Sequence, residues 1–368
     1  MMETVLITGG AGFIGRHLAQ ALLQRGYRVR MLDSLIEQVH QGRAAPAQLP
    51  AEVEFQQGDV RDGNAVGRAL RGADALIHLA AEVGVGQSMY AIDRYVAVND
   101  LGTAVVFQQL IERPVRRVVV ASSMSIYGEG LYRTVDGEPV EDAERTATVS
   151  TTWDPVDEQG RPLQPVPTPE WKRPALASVY ALTKYVQERL TLNICGAYGM
   201  QGVALRLFNV YGPGQALSNP YTGVLAIFAS RLLNGKAPLV FEDGRQRRDF
   251  VHVSDVARAF IAALEHPAAP GGVFNVGSGH ELSIAEVARS LASAMGRDTA
   301  AEVTGKARTG DIRHCFADIG KAERELGFRP VMNFEAGLAE LAQWVAQQEA
   351  VDRADDARRE LELRGLVA

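Results

Sequence analysis

The apolar run Thr4-Val5-Leu6-Ile7 leads straight into Thr8-Gly9-Gly10-Ala11-Gly12-Phe13-Ile14-Gly15. Apolar residues at helical spacing then follow, at Phe13, Ile14, Leu18, Leu22 and Leu23. A chain that passes from strand to helix in so few residues needs positions without side chains. Gly9 permits the tight turn, Gly12 lets backbone approach a pyrophosphate, and Gly15 lets the helix pack close to the strand. The helix start presents unpaired N–H groups and the positive end of its dipole to an anion. Phe13 and Ile14 belong to the same cradle. Such a unit builds a parallel sheet, because the helix is the crossover to the next strand.

The rest of the chain repeats the pattern. Residues 28–32, 53–55, 75–79, 118–121 and 203–207 read as strands that are mostly apolar, with amphipathic segments between them. Strands apolar on both faces indicate a parallel sheet covered on both sides. The expected fold is α/β, a doubly wound parallel sheet of the Rossmann kind with a smaller α+β substrate-binding lobe. Residues 1–208 and 240–275 are assigned to the large domain, and 209–239 with 276–348 to the lobe. Residues 36–51 form a variable loop. Residues 129–175 lack periodicity and are too long for an ordinary connection, so they read as a functional insertion or a mobile excursion. Residues 349–368 are charged and read as an exposed helix or a frayed tail.

Asp33 ends the second strand. A carboxylate there accepts both ribose hydroxyls of an adenosine and repels a 2′-phosphate, which favours NAD over NADP. Asp59-Val60 ends the third strand and is placed near the adenine. Tyr180-Ala181-Leu182-Thr183-Lys184 puts a tyrosine and a lysine on one helix face, one turn apart. A phenol that works as a base near pH 7 needs its pKa lowered by about three units, roughly 4 kcal/mol. One cation about 4 Å away, at an effective dielectric near 20, supplies about that much.

With these motifs in view, the sequence resembles the extended short-chain dehydrogenase/reductase family, over residues 3 to about 345. The resemblance implies a catalytic hydroxyl a few residues before Tyr127-Gly128. Counting back places it on Ser123, with Ser122 as its rival. It implies that Leu79-Ala80-Ala81 lines the cofactor and that Asn99 supports it. In Arg206-Leu207-Phe208-Asn209-Val210, it assigns Phe208 and Val210 to the cofactor and Asn209 to a nucleotide-sugar diphosphate. It assigns Arg248 and Arg308 to that diphosphate and Asp311 to the ribose. Bidentate arginines suit phosphate oxygens. Ser125, Val224, Leu239 and Phe241 complete the expected substrate set.

The family includes 4-epimerases, 4,6-dehydratases, decarboxylases and ketoreductases. Its dehydratases carry an Asp-Glu pair directly after the catalytic hydroxyl residue, for acid/base elimination of water. Here those positions are Met124 and Ser125, which excludes that chemistry. Reductases of the family more often use NADPH, which Asp33 disfavours. The resemblance therefore implies NAD-dependent epimerisation at carbon 4 of a nucleotide sugar. Segments 128–132, 215–223 and 241–244 look like those of bacterial enzymes that epimerise dTDP-L-rhamnose. UDP-glucose/galactose and UDP-glucuronate epimerisation compete, and a 4-ketoreductase or net dehydrogenase is the second class. A non-catalytic NAD sensor would have no need of Ser123, Tyr180 and Lys184. Cys315 stands where family members limit sugar size; a buried small hydrophobe is the equal alternative.

The net charge of −6 and pI near 5.7 exclude a nucleic-acid surface. Two cysteines, Cys195 and Cys315, cannot make a disulfide framework or a zinc site. No apolar run reaches membrane-span length. The first residues show no basic-then-apolar leader, so a cytoplasmic protein is expected. Helices near 92–112 and 178–198 are richer in apolar residues than one cleft requires, which, with the family's paired helices, implies a homodimer.

Overall fold

The computed structural model describes residues 3–41, 49–143 and 153–367. Part of the 36–51 loop and part of the 129–175 insertion therefore lie outside the described residues. The chain begins β1 (Thr4–Thr8), α1 (Phe13–Gln24), β2 (Arg28–Asp33), α2 (Glu37–His40), β3 (Glu54–Gln57), α3 (Gly63–Ala69) and β4 (Ala75–His78). It continues through α4 (Val85–Ser88), α5 (Ile92–Tyr95), a π-helical turn at Val96–Leu101, α6 (Gly102–Glu112) and β5 (Arg117–Ser123). Strands β6 (Leu131–Arg133), β7 (Pro139–Val140) and β8 (Gln164–Val166) precede α7 (Val179–Ala197), β9 (Gln201–Leu207) and β10 (Asn209–Tyr211). Then come α8 (Val224–Leu233), β11 (Leu239–Val240), β12 (Arg247–His252), α9 (Val253–Glu265), β13 (Val273–Val276), β14 (Glu281–Ser283) and α10 (Ile284–Ala294). The last elements are β15 (Glu302–Val303), β16 (His314–Cys315), α11 (Gly320–Leu326), α12 (Phe334–Val345) and α13 (Ala354–Leu363).

The central sheet has seven strands in the order β13-β9-β5-β4-β1-β2-β3. Every neighbouring pair in it is parallel. Alternation along β1 decides the two cores. Val5 and Ile7 join Leu18, Leu22 and Phe260, from α1 and α9, on one face. Leu6 joins Val66, Phe107 and Val118 on the other. Chain order reverses at β1, which pairs with both β2 and β4. A cleft opens beyond the carboxyl ends of strands at such a point. The expected doubly wound α/β sheet is present.

The smaller lobe has its own core, with Phe228 of α8, Phe250 of β12, Leu291 of α10 and Leu341 of α12. Residues 240–275 divide between the two units. Strand β12 pairs with β10, β14 and β16 in a small sheet, while β13 closes the large one and α9 packs on it. Over its described residues the insertion carries a small sheet, in which β6 pairs antiparallel with β7 and β8. The C-terminal tail does not fray over its described length. Asp352 and Asp355 bind Arg231 and Lys236, and Leu361 of α13 is buried against Gly86. Arg231, Lys236 and Gly86 lie more than a hundred residues from the tail residues they meet, so composition alone did not reveal them. No helix among the described residues is long and apolar enough to cross a membrane.

Candidate active site

At the carboxyl ends of β1, β2 and β4 lies a cavity of about 1140 Å3. Gly9, Gly12, Phe13, Ile14 and Gly15 line it. Gly9 has a φ of 67°, and a Cβ there would stand 2.8 Å from the Ala80 backbone. At Gly15 a Cβ would overlap the Gly10 carbonyl. Gly12 starts α1 with no side-chain cap, and the first turn carries no acid. The uncapped N–H groups of that turn fit an anion. Asp33 also lines the cavity. It accepts the Ala11 N–H at 3.0 Å and the Leu35 N–H at 2.9 Å, and His40 Nε2 lies 3.6 Å from it. These bonds fix the carboxylate next to the glycine loop. This cradle and carboxylate fit a dinucleotide.

Asp59, Val60, Leu79, Ala80 and Ala81 line the same cavity. The Arg61 guanidinium, 2.6 Å away, holds the Asp59 carboxyl below the ordinary carboxylate range. Asn99, in contrast, does not line the cavity. It lies in the π-helical turn with no exposed surface. Its Oδ1 accepts the Glu82 N–H at 2.7 Å, and its Nδ2 donates to the Glu82 carbonyl and to Thr183 Oγ1. Asn99 ties the loop after β4 to α7, and both ends of its amide are spent on that task.

Strand β5 ends at Ser122 and Ser123, and both line the cavity. The Ser122 hydroxyl donates to Glu188 Oε2 at 2.7 Å. Ser123 instead pairs with the Ser125 hydroxyl at 2.8 Å and faces the Tyr180 hydroxyl. Geometry thus separates the two serines. Ser178 caps α7 by accepting the Ala181 N–H, which sets Tyr180 and Lys184 on the cavity wall one turn apart. The Tyr180 ring meets Tyr95 edge-on, 6.4 Å between centroids.

The expected lowering of the Tyr180 pKa by Lys184 is not found in this arrangement. Burial raises the phenol, and the Ser123 hydroxyl only partly opposes it. Lys184 is pushed down to about 7 by burial. Its amine donates to Gln187 Oε1 at 2.7 Å. Desolvation disfavours both charged forms, and the lysine is bonded to the amide.

Phe208 and Val210 line the cavity; Asn209, Val224, Leu239, Phe241, Arg248, Arg308, Asp311 and Ser125 do not. Arg248 and Arg308, 308 − 248 = 60 positions apart, nevertheless come together on Asp311, at 3.5 and 2.8 Å. Arg308 lies over the Phe241 ring, 4.6 Å from its centroid. The Arg248 guanidinium also donates to the carbonyls of Arg247, Ile312 and Arg313. It therefore fastens the segment that carries Asp311, because β12 pairs with β16. Two guanidiniums and one carboxylate leave this trio at 2 − 1 = +1. Asn209 Oδ1 is buried without a hydrogen-bond partner. Leu239 sits in β11, and Val224 opens α8. Cys315 is 1% exposed among Met124, Tyr127 and Phe208, and burial pushes its thiol up to about 12. It packs as a small hydrophobe and does not line the cavity.

Several site residues escaped the sequence reading. Trp344, Gln348, Glu349 and Arg353 reach the cavity from the C-terminal region. Glu188 and Arg206 form a buried ion pair at 2.7 Å behind Ser122. Arg313 is wholly buried between Asp154 of the insertion and Glu242 and Asp243 of the lobe. No local spacing announces these contacts; a charged residue within an apolar run, such as Arg206, was the one available signal. Among the described residues no group of three or more His, Cys, Asp or Glu is placed to hold a metal.

Comparison with known proteins agrees with this geometry. The family model described as the NAD dependent epimerase/dehydratase family matches residues 5–277. The chain is 35% identical over 352 residues to a dTDP-L-rhamnose 4-epimerase of Burkholderia thailandensis, covering 94% of this chain and 96% of that one. A UDP-glucose 4-epimerase of Thermotoga maritima, solved with UDP-glucose, superposes with a TM-score of 0.77 at 28% identity, over 94% and 99% of the two chains. The UDP-glucose 4-epimerase of Thermus thermophilus, solved with NAD, gives a TM-score of 0.74 at 30% identity, over 94% and 100%.

Proposed function

The chain belongs to the NAD dependent epimerase/dehydratase family, and from that premise we propose that it inverts carbon 4 of a nucleotide-diphosphate sugar, with dTDP-L-rhamnose and its 6-deoxy-L-talose epimer as the favoured pair. One observation carries the reading. Ser123, Tyr180 and Lys184 line the same cavity as the glycine loop and Asp33, while Met124 and Ser125 follow the catalytic hydroxyl. Neither Met124 nor Ser125 can serve as the acid/base pair of an elimination. The 35% identity to the rhamnose enzyme supports the substrate. The likeness to enzymes that bind UDP-sugars supports a UDP-hexose as the second reading.

NAD, when bound, supplies a hydride acceptor that returns the hydride within the same turnover. The protein's part is to bind, orient and move a proton. The uncapped turn of α1 receives the pyrophosphate, and Asp33 accepts the ribose hydroxyls. Tyr180 takes the proton of the 4-hydroxyl and later gives it back, with Lys184 one turn away on the same cavity wall. Ser123 orients the reacting oxygen. Asn209, Arg248 and Arg308 hold the diphosphate while the sugar turns over.

Incubation with a panel of dTDP-, UDP- and GDP-sugars, without added NAD, tests this reading. Products separated by chromatography and identified by mass spectrometry are expected to be 4-epimers. Stoichiometric NADH release would overturn the proposal. Tyr180→Phe is expected to lose turnover by roughly 10²–10⁴-fold with nucleotide binding kept. Unchanged turnover would refute the role of Tyr180.

A further inference from the structure

Behind Lys184 runs a buried polar chain with no part in the reaction outlined above. Gln187, one turn further along α7, is 1% exposed. Its Oε1 accepts from the Lys184 amine at 2.7 Å. Its Nε2 lies 2.9 Å from Thr103 Oγ1 and 3.2 Å from the Ala80 carbonyl. Nε2 also lies 3.2 Å from His78 Nε2, so the NH2 end faces three partners while Oε1 faces the lysine, which leaves the amide a single good orientation. A flip would set Oε1 against the Ala80 carbonyl and the NH2 group against the ammonium. Thr103 Oγ1 also meets His78 Nε2 at 2.9 Å, and His78 Nδ1 meets Thr8 Oγ1 at 2.6 Å. Thr8 and His78 are register partners at the ends of β1 and β4, and Thr103 comes from α6. Four elements therefore anchor one carbonyl under the lysine.

We propose that Gln187 is a positioning residue for the Tyr180–Lys184 pair: its locked carbonyl holds the Lys184 amine and sets how readily that amine keeps its charge in a dry site. The inference rests on the reading of Tyr180 and Lys184 as the reacting pair. The ionisable groups around the lysine are few. Tyr180 and Glu188 share its helix, and Glu188 is bound to Arg206 of β9. Tyr95 of α5 packs against the Tyr180 ring, and His78 faces the network from β4. Burial, with Lys184 nearby, pushes His78 down to about 3, so its ring stays neutral and adds no competing cation. A fixed dipole in a dry pocket acts strongly on a neighbouring charge.

The chain has five lysines, Lys172, Lys184, Lys236, Lys306 and Lys321, so their ε-carbons can be followed individually by NMR. In 13Cε-lysine-labelled protein, the Lys184 signal is the one missing from Lys184→Arg. Its titration needs no substrate, so it can fail or succeed independently of the proposed reaction. In Gln187→Leu the Lys184 amine is expected to titrate roughly one to two pH units lower. In Gln187→Glu it is expected to titrate higher, which keeps the test alive if the leucine variant does not fold. Titration at the same pH in wild type and in the variants that fold would overturn the proposal.

Discussion

His78 and Lys184 are both buried groups whose charged forms burial disfavours, and each ties stability to pH. Burial pushes His78 from 6.5 down to about 3. Between those values the unfolded chain holds a proton that the folded one does not. Stability is therefore fully present above pH 6.5 and is lost as pH falls toward 3. Lys184 is pushed from 10.5 to about 7, so its contribution falls as pH drops from 10.5 to 7. The slope of Tm against pH on the acid side is expected to flatten in His78→Gln, as followed by calorimetry; an unaltered slope would contradict the assignment. Arg313 is a different case. It sits on Glu242, whose side chain is 1% exposed. Arg313→Met removes this buried ion pair together with those to Asp154 and Asp243, and is expected to cost about 3–5 kcal/mol in denaturant unfolding. The glycine loop, Asp33, Tyr180 and Lys184 were legible because each is bound to a local spacing. Gln187 and Arg313 were not, since the groups that lock the Gln187 amide and those that hold Arg313 are 70 or more residues away.

Among the elements, the strand–loop–helix unit separates packing from binding within one motif. A Cβ at Gly15 would overlap the Gly10 backbone, whereas at Gly12 the nearest atom is the Gly9 carbonyl at 3.2 Å. Gly15→Ala is expected to destabilise the fold by about 1–3 kcal/mol. Gly12→Ala should change stability by less than about 1 kcal/mol and weaken dinucleotide retention instead. Chemical denaturation, with NAD release from the purified protein, checks both; equal stability losses would refute the division. The central strands announced themselves through continuous apolar runs. The insertion did not. Strands β6, β7 and β8 are two or three residues long, too short for a period of two to show. Their anchor is the 313–318 segment, where Thr168 N–H donates to the Phe316 carbonyl and Gly130 N–H to the His314 carbonyl.

At the scale of the whole molecule, several exposed apolar side chains share one group of helices. Ile92 is 50% exposed, Leu101 54% and Leu182 46%. They lie on α5, the π-helical turn and α7, which pack together. Residues of this kind cover one another when two copies meet about a two-fold axis. Light scattering is expected to give about twice the 39.8 kDa chain mass. Leu182→Asp is expected to shift the protein toward the monomer, and a monomeric wild type would refute the dimer.

Local spacing was enough for the doubly wound sheet, the glycine cradle and the tyrosine–lysine pair. Each is written in contacts between residues a turn or a strand apart, where spacing and side-chain type suffice. The packing of distant segments settles which serine faces Tyr180, makes Asn99 a brace, and brings Arg248 and Arg308 together on Asp311. It also decided that the tail closes on Arg231 and that Lys184 rests on Gln187. Those outcomes depend on burial and on partners brought together across the fold. Desolvation then overrode the expected effect of Lys184 on Tyr180, because the cost of burying a charge is set by everything around it.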